Sequence, residues 1–268
     1  MNILEDIIAH KRVEVAERKR ATPPKELEKG EFFYRPVRSL RSALLEPAST
    51  GIIAEFKRRS PSKGVINDKA KAGMVTRGYA EGGAACLSVL TDERFFGGSD
   101  QDLIAARAND IPILRKEFII DEYQILEARA IGADVILLIA ACLETEDVRR
   151  LAAFARGLGL EVLLEIHGEE ELGHICDETP IVGINNRDLR TFKVDIRRSI
   201  RLSHQIAGGR LLVAESGISK AETIAEMKDA GFRGFLIGEN FMREDDPGAA
   251  FARFIGELRD KERHSAEK

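Results

Sequence analysis

Lysines, glutamates and an asparagine recur in this chain near the ends of apolar runs. Glu55-Phe56-Lys57 closes GIIAEFK, Lys116 closes IPILRK, Glu165 lies near the end of LEVLLEI, Asn185 near the end of IVGINN, and Glu215-Ser216 closes RLLVAES. Taken singly, each is an ordinary solvated charge, because charged side chains are mostly exposed. Their repetition at equivalent positions of successive runs argues instead for convergence. Two lysines and two or three glutamates meeting at one place supply both proton donors and proton acceptors, as general acid–base chemistry requires. Pairing would also keep charged those lysines that burial alone would deprotonate. Glu55 and Lys57 are two residues apart, so an extended strand puts them on one face.

A second constellation reads as an anion site. Glu215-Ser216-Gly217-Ile218-Ser219 and Gly238-Glu239-Asn240 follow successive apolar runs. Glycine-containing turns that lead into helices expose backbone N–H groups suited to phosphate. Ser60, after the first run, would close a third side. Gly217 and Gly238 would be explained by tight turns alone, but the agreement of two adjacent loops favours the anion site. A third feature is aromatic: the segment TDERFFGGS carries Phe96 and Phe118 follows Lys116, so rings flank the proposed acid and would grip an aromatic substrate. His167, two residues beyond Glu165, is of the residue type that could titrate near neutrality; it is assigned a loop or supporting place, since acids and bases are already supplied. Cys86, Cys142 and Cys176 are far apart, and no His, Cys and carboxylate cluster has metal-ligand spacing.

These residues need a frame that brings the ends of the runs together. From Gly51 onward the runs GIIAEFK, ACLSVL, IPILRK, ADVILLIA, LEVLLEI, IVGINN, RLLVAES and GFLIGE alternate with longer amphipathic stretches. Helices are expected at Asp68–Gly82, Asp121–Ile131, Glu144–Gly157, Glu169–Cys176, Arg197–Ile206 and Lys220–Ala230, with Pro247 opening a last one. Such crossovers make successive strands parallel, and apolar strands need cover on both faces. The fold class expected is therefore α/β, a closed (β/α)8 TIM barrel, in which active sites form at the C-terminal strand ends. An open doubly wound sheet is the alternative; it would carry a GxGxxG turn after the first strand, where this chain has Arg58-Arg59-Ser60-Pro61-Ser62. Gly132, Gly159 and Gly231 stand just before strands, where left-handed helix ends favour glycine.

The first fifty residues lie outside the repeat. Ile3, Leu4, Ile7, Ile8 and Val15 recur at near-helical spacing, which predicts an amphipathic helix packed onto the barrel and ended by Pro23-Pro24. Phe32, Phe33 and Tyr34 would either wall the barrel mouth or pack an irregular connector, and packing is the reading taken. Residues 1–268 are read as one barrel domain, with 1–50 as its helical extension and Lys261–Lys268 as a fraying tail.

Composition narrows the functions. The chain of 268 residues, 44% hydrophobic, is long enough for one sizeable core. Its 41 basic and 45 acidic residues are interspersed and give a net charge of −4, which argues against a nucleic-acid face. Glu5 and Asp6 interrupt any signal peptide, and the apolar run Val135–Leu143 is about half the roughly 20 residues a membrane helix needs. A cytoplasmic protein with no membrane partner is expected.

Together and in this order, AEFKRRSPSKG, SVLTDERFFGGS, LRKEFIIDEYQI, LLEIHGEEEL, GINNRDLRTF, VAESGIS and FLIGENFMR resemble indole-3-glycerol-phosphate synthase, the ring-closing lyase of tryptophan biosynthesis, over nearly the whole chain. The absence of a second barrel points to the monofunctional form. The resemblance implies decarboxylative ring closure and dehydration of 1-(2-carboxyphenylamino)-1-deoxyribulose 5-phosphate to indole-3-glycerol phosphate, carbon dioxide and water, with no cofactor and no metal. It implies that Lys116 protonates the developing alkoxide, that Lys57, oriented by Glu55, binds the substrate carboxylate, and that Glu165 is the dehydration base. The second acid, Lys57 or Lys116, stays open. Asn185, Arg187, Glu215 and Ser216 would hold hydroxyls or organise the charges. Phosphate would sit on Ser60, Gly217, Gly238 and the amides of Glu239 and Asn240, and the aromatic ring between Phe96 and Phe118. Glu117, Ala214 and Asn240-Phe241 depart from commoner choices. The implied partner is a small phosphorylated aromatic substrate; the chain is expected to be a monomer, at most loosely associated with other enzymes of the pathway. A sugar-phosphate isomerase and a non-catalytic phosphate-binding barrel are the competing readings, since fold alone does not choose among them.

Overall fold

Each apolar run becomes a strand because its aliphatic residues are buried on both faces. In the computed structural model, which describes residues 3–188 and 193–266, the strands are β1 (Ile52–Phe56), β2 (Cys86–Leu90), β3 (Ile113–Lys116), β4 (Val135–Ile139), β5 (Glu161–Ile166), β6 (Ile181–Asn185), β7 (Leu211–Glu215) and β8 (Phe232–Ile237). They pair in sequence order, all parallel, and β8 closes on β1 with Ile52 opposite Phe235. Of the resembling motifs, GINNRDLRTF runs partly into positions 189–192, which lie outside the described residues.

Alternation along the strands splits the apolar residues into two cores. Ile53, Cys86, Leu114, Val135, Leu137, Leu163, Ile181, Leu211, Val213 and Leu236 fill the barrel interior, while the residues between them, such as Ile52, Ala54, Phe56 and Leu164, pack against the helices outside. The next inward position beyond the interior residues is Glu55 after Ile53, Lys116 after Leu114, Glu165 after Leu163 and Glu215 after Val213. A period of two thus carries each charged side chain into the mouth at the C-terminal end.

Helices Ala72–Glu81, Glu122–Ala130, Thr145–Gly157, Ile196–Ser203 and Ala221–Asp229 fall within or close to the expected spans. Gly132, Gly159 and Gly231 have φ of +96°, +77° and +96°, as left-handed helix ends require. Three corrections follow. Asp100–Ala106 is a helix absent from the expectation, capped by Ser99, whose hydroxyl accepts the Asp102 N–H. The segment after β5 forms only a 3-10 turn, Glu169–His174, in place of a helix over Glu169–Cys176; with Gly168 before it and Gly173 inside it, an α-helix gains little there. The last helix, Pro247–Ala266, continues past the expected fraying point at Lys261, tied by Lys228 to Glu262 (2.5 Å) and Lys261 to Glu222 (2.7 Å).

The N-terminal helix α1 (Ile3–Ala21) buries Ile7, Lys11 and Val15 on one stripe. The chain then passes beneath the barrel. Phe33 is buried and Tyr34 exposed, and Arg35 pairs with Asp134 (2.6 Å), just before β4, so this connector packs at the end opposite the mouth. The helix Leu40–Leu45 closes the barrel floor with Leu40 and Leu44 in the interior core. Among the described residues, no helix is long and apolar enough to cross a membrane.

Candidate active site

Every candidate residue taken from the sequence lines one cavity of about 430 Å³ at the mouth: Glu55, Lys57, Ser60, Phe96, Lys116, Phe118, Glu165, Asn185, Arg187, Glu215, Ser216, Gly217, Gly238, Glu239 and Asn240. The charges are arranged as two groups. Lys57 Nζ lies 2.7 Å from Glu55 Oε1. Across the mouth, Lys116 Nζ lies 3.0 Å from Glu165 Oε2 and 3.4 Å from Glu215 Oε2. Asn185 Nδ2 donates to Glu165 Oε1 (3.0 Å), and its own Oδ1 accepts the Arg187 N–H (3.0 Å).

The two glutamates beside Lys116 differ in protonation. Burial would raise Glu165, but Lys116, His167 and Asn185 hold it well below the usual carboxylate range. Burial and the charge of Glu165 push Glu215 up to about 8, against the pull of Lys116. Burial alone would strip Lys116 of its proton, yet Glu165, Glu215 and Glu55 more than offset this and hold it above the ordinary lysine value. The three groups titrate together, with the Lys116 ammonium favoured between two glutamates of which Glu165 is the more acidic. His167 completes it from behind: Nε2 is 3.1 Å from Glu165 Oε1 and Nδ1 is 3.4 Å from Glu171 Oε2. Burial opposes its protonation, but these two carboxylates raise it to about 10, which favours the imidazolium form beside Glu165.

Backbone shape makes the room. A Cβ on Gly183, opposite Glu165 on β6, would collide with Glu215 Oε1, and one on Gly238 would come within 2.6 Å of Glu55 Oε1. After β7 the chain turns through two left-handed residues, Ser216 (φ +68°) and Gly217 (φ +71°). For serine that conformation costs about 1–3 kcal/mol, and Asn186 Nδ2 holds the turn by donating to Ser216 O at 2.8 Å. The helix Glu239–Met242 opens at Gly238; helix geometry leaves the first-turn amides of Glu239 and Asn240 without intrahelical partners. Ser60 sits on a two-stranded hairpin, Arg59–Ser60 with Gly64–Val65, anchored by the preceding Arg58 to Asp102 in the helix Asp100–Ala106. The rings of Phe96 and Phe118 lie 5.8 Å apart at 40°.

Sequence reasoning missed several lining residues. Ile3, Leu4 and Ile7 of α1 wall the cavity, Leu137 and Ile139 form part of its floor, and Ser219 and Arg243 stand near the anion loops. The apolar stripe of α1 was visible in the sequence; the surface it covers was not. Arg243 belongs to the quoted segment FLIGENFMR, where its charge after a glycine turn was the available signal.

A barrel mouth that joins a buried lysine–glutamate cluster to glycine-built turns and a helix start has the make-up of a proton-transfer enzyme. Comparison with known proteins narrows the class. The family model "Indole-3-glycerol phosphate synthase" matches residues 4–254. The chain is 49% identical over 255 residues to the indole-3-glycerol phosphate synthase of Bacteroides thetaiotaomicron, covering 95% of this chain and 98% of that one. It is also 49% identical over 259 residues to that of Burkholderia vietnamiensis, covering 95% and 99%. This chain belongs to the indole-3-glycerol phosphate synthase family. In fold it also resembles tryptophan synthase subunit alpha from Legionella pneumophila, with a TM-score of 0.62 at 13% identity, over 84% of this chain and 98% of that one.

Proposed function

We propose that this mouth converts 1-(2-carboxyphenylamino)-1-deoxyribulose 5-phosphate into indole-3-glycerol phosphate, with the residues assigned as follows. The observation that carries the reading is Lys116 held between two buried glutamates, beside an aromatic pair and an anion cradle. The phosphate is held by Ser60, Gly217 and the amides of Glu239 and Asn240, and the aromatic ring lies at Phe96 and Phe118 against the wall of α1. Lys57, fixed by Glu55, pairs with the substrate carboxylate.

Ring closure begins when the carboxylate-bearing aromatic carbon attacks the ribulose carbonyl. Lys116 gives its proton to the alkoxide that develops, which lowers the barrier where charge appears. Loss of carbon dioxide restores the aromatic ring. The same proton transfer readies Glu165. Its low pKa depends on the positive charge of Lys116; once Lys116 is neutral, burial acts with less opposition and Glu165 becomes a stronger base. Glu165 then takes the proton from the carbon beside the nitrogen, while an ammonium, Lys57 or Lys116 once reprotonated, protonates the departing hydroxyl so that it leaves as water. A sugar-phosphate isomerase would leave the second lysine and the ring pair without a task.

The cysteines are unpaired, which supports a reducing compartment such as the cytoplasm. The test is to supply the carboxyphenylamino-deoxyribulose phosphate to the purified protein in the presence of a chelator and follow indole fluorescence. The chain has no tryptophan, so the signal is the product's. Steady product formation is expected; its absence rejects the reading.

A further inference from the structure

The charges that fasten α1 to the barrel lie directly behind the two rings of the mouth. Lys11 is fully buried on α1 between Ile7 and Val15. Its Nζ stands 2.9 Å from Glu14 Oε2, 3.0 Å from Asp92 Oδ2 and 3.1 Å from Glu117 Oε1. Burial would favour the neutral amine, but Glu117, Asp92 and Glu14 outweigh it and raise the pKa above the ordinary lysine value.

Asp92 and Glu117 have second duties in the mouth. Asp92 Oδ1 accepts the backbone N–H of Phe95 (2.7 Å) and of Phe96 (3.1 Å). Glu117 Oε1 accepts the Phe118 N–H (2.8 Å), while its Oε2 accepts the Thr91 hydroxyl (2.7 Å). One ammonium, supplied from outside the barrel repeat, therefore bridges both carboxylates that fix the backbone beneath both rings. Without it, the two carboxylates would lose the cation they share in a dry site, leaving Glu117 with the field of Arg115 alone, and one would take a proton or swing away. Either event loosens a loop that already contains Gly97-Gly98.

We infer that Lys11 is a positioning residue for the aromatic half of the mouth: by holding Asp92 and Glu117 in one buried ion cluster it sets the placement of Phe96 and Phe118. It touches no reacting atom. The inference rests on the reading of those rings as the seat of the substrate's aromatic ring.

The test uses the full chain with Lys11→Met, Lys11→Arg and the triple variant Lys11→Met/Asp92→Asn/Glu117→Gln. The triple variant keeps oxygen acceptors for the same N–H groups but no longer needs a cation. Binding of 2-aminobenzoate, followed by its own fluorescence, probes the aromatic half alone; inhibition by inorganic phosphate probes the anion half. Lys11→Met is expected to weaken 2-aminobenzoate binding and raise KM, each about tenfold, with kcat and phosphate inhibition within about twofold. Lys11→Arg and the triple variant are expected to recover most of that loss. Unchanged 2-aminobenzoate binding in folded Lys11→Met overturns the inference, as does an equal loss of phosphate and aromatic binding. If Lys11→Met does not melt cooperatively, the triple variant decides: folded with near-wild-type aromatic binding, it supports the inference; folded with weakened binding, it overturns it. Failure of the wild type to make indole product would reject the proposed function, whereas the 2-aminobenzoate titration would still judge Lys11.

Discussion

Lys116 on β3 and Glu165 on β5 meet across the barrel mouth with Nζ 3.0 Å from Oε2, and each depends on the other for its charge. The ammonium holds the carboxylate ionised, and the carboxylate holds the ammonium protonated. This reciprocity lets a single proton transfer change the character of both groups, which is the basis of the two-stage chemistry assigned to them.

His167 makes that pairing visible in the pH dependence of stability. Its pKa is raised to about 10 in the folded protein from an ordinary 6.5. Its contribution is therefore fully present below about pH 6.5 and is lost as pH rises through about 10. Replacing His167 with Asn should cost roughly 2–4 kcal/mol at pH 6, and the difference from wild type should shrink towards pH 10. Urea unfolding of both proteins at pH 6, 8 and 10 checks this; a difference independent of pH would mean that His167 is not an imidazolium paired with Glu165.

Gly183 leaves the space that Glu215 occupies. Gly183→Ala should push Glu215 off Lys116, lowering kcat about tenfold or more while costing roughly 1–3 kcal/mol of stability through overpacking. Steady-state rates with thermal melts decide the matter, and full activity in the alanine variant would show that Glu215 has no fixed place in the cluster.

At the anion loops, a side chain at Gly217 would collide with Val194 and face a left-handed backbone. Inorganic phosphate should compete with substrate, and Gly217→Glu should raise its inhibition constant about tenfold or more. Competition unaltered by that substitution would move the phosphate elsewhere in the cavity.

Much of the barrel and its mouth was legible in the sequence because a strand's period is two: the same alternation that buries Leu114, Leu163 and Val213 delivers Lys116, Glu165 and Glu215 inward. Tertiary contact decided what was not legible. Lys11 reads as one more solvated charge on a charged helix, with Glu14 three residues on, and only the landing place of α1 reveals the two barrel carboxylates, Asp92 and Glu117, around it. His167 was placed rightly in a supporting position, but its partner Glu171 lies on a 3-10 turn where a longer helix was expected. The helix Asp100–Ala106 is only seven residues long and gives a weak periodic signal, although its Ser99 cap was present to be read.

Lys116 and Glu165 divide the labour between ring closure and dehydration, and a single-turnover experiment separates the two steps. Carbon dioxide release reports ring closure and decarboxylation; indole fluorescence reports dehydration. In Glu165→Gln, where Glu215 still faces Lys116, carbon dioxide release should stay within about tenfold of wild type while indole formation slows about a hundredfold or more. In Lys116→Met both should fall together by about a hundredfold or more. If Glu165→Gln instead loses carbon dioxide release in parallel with indole formation, Glu165 acts before or during ring closure and the proposed order is wrong.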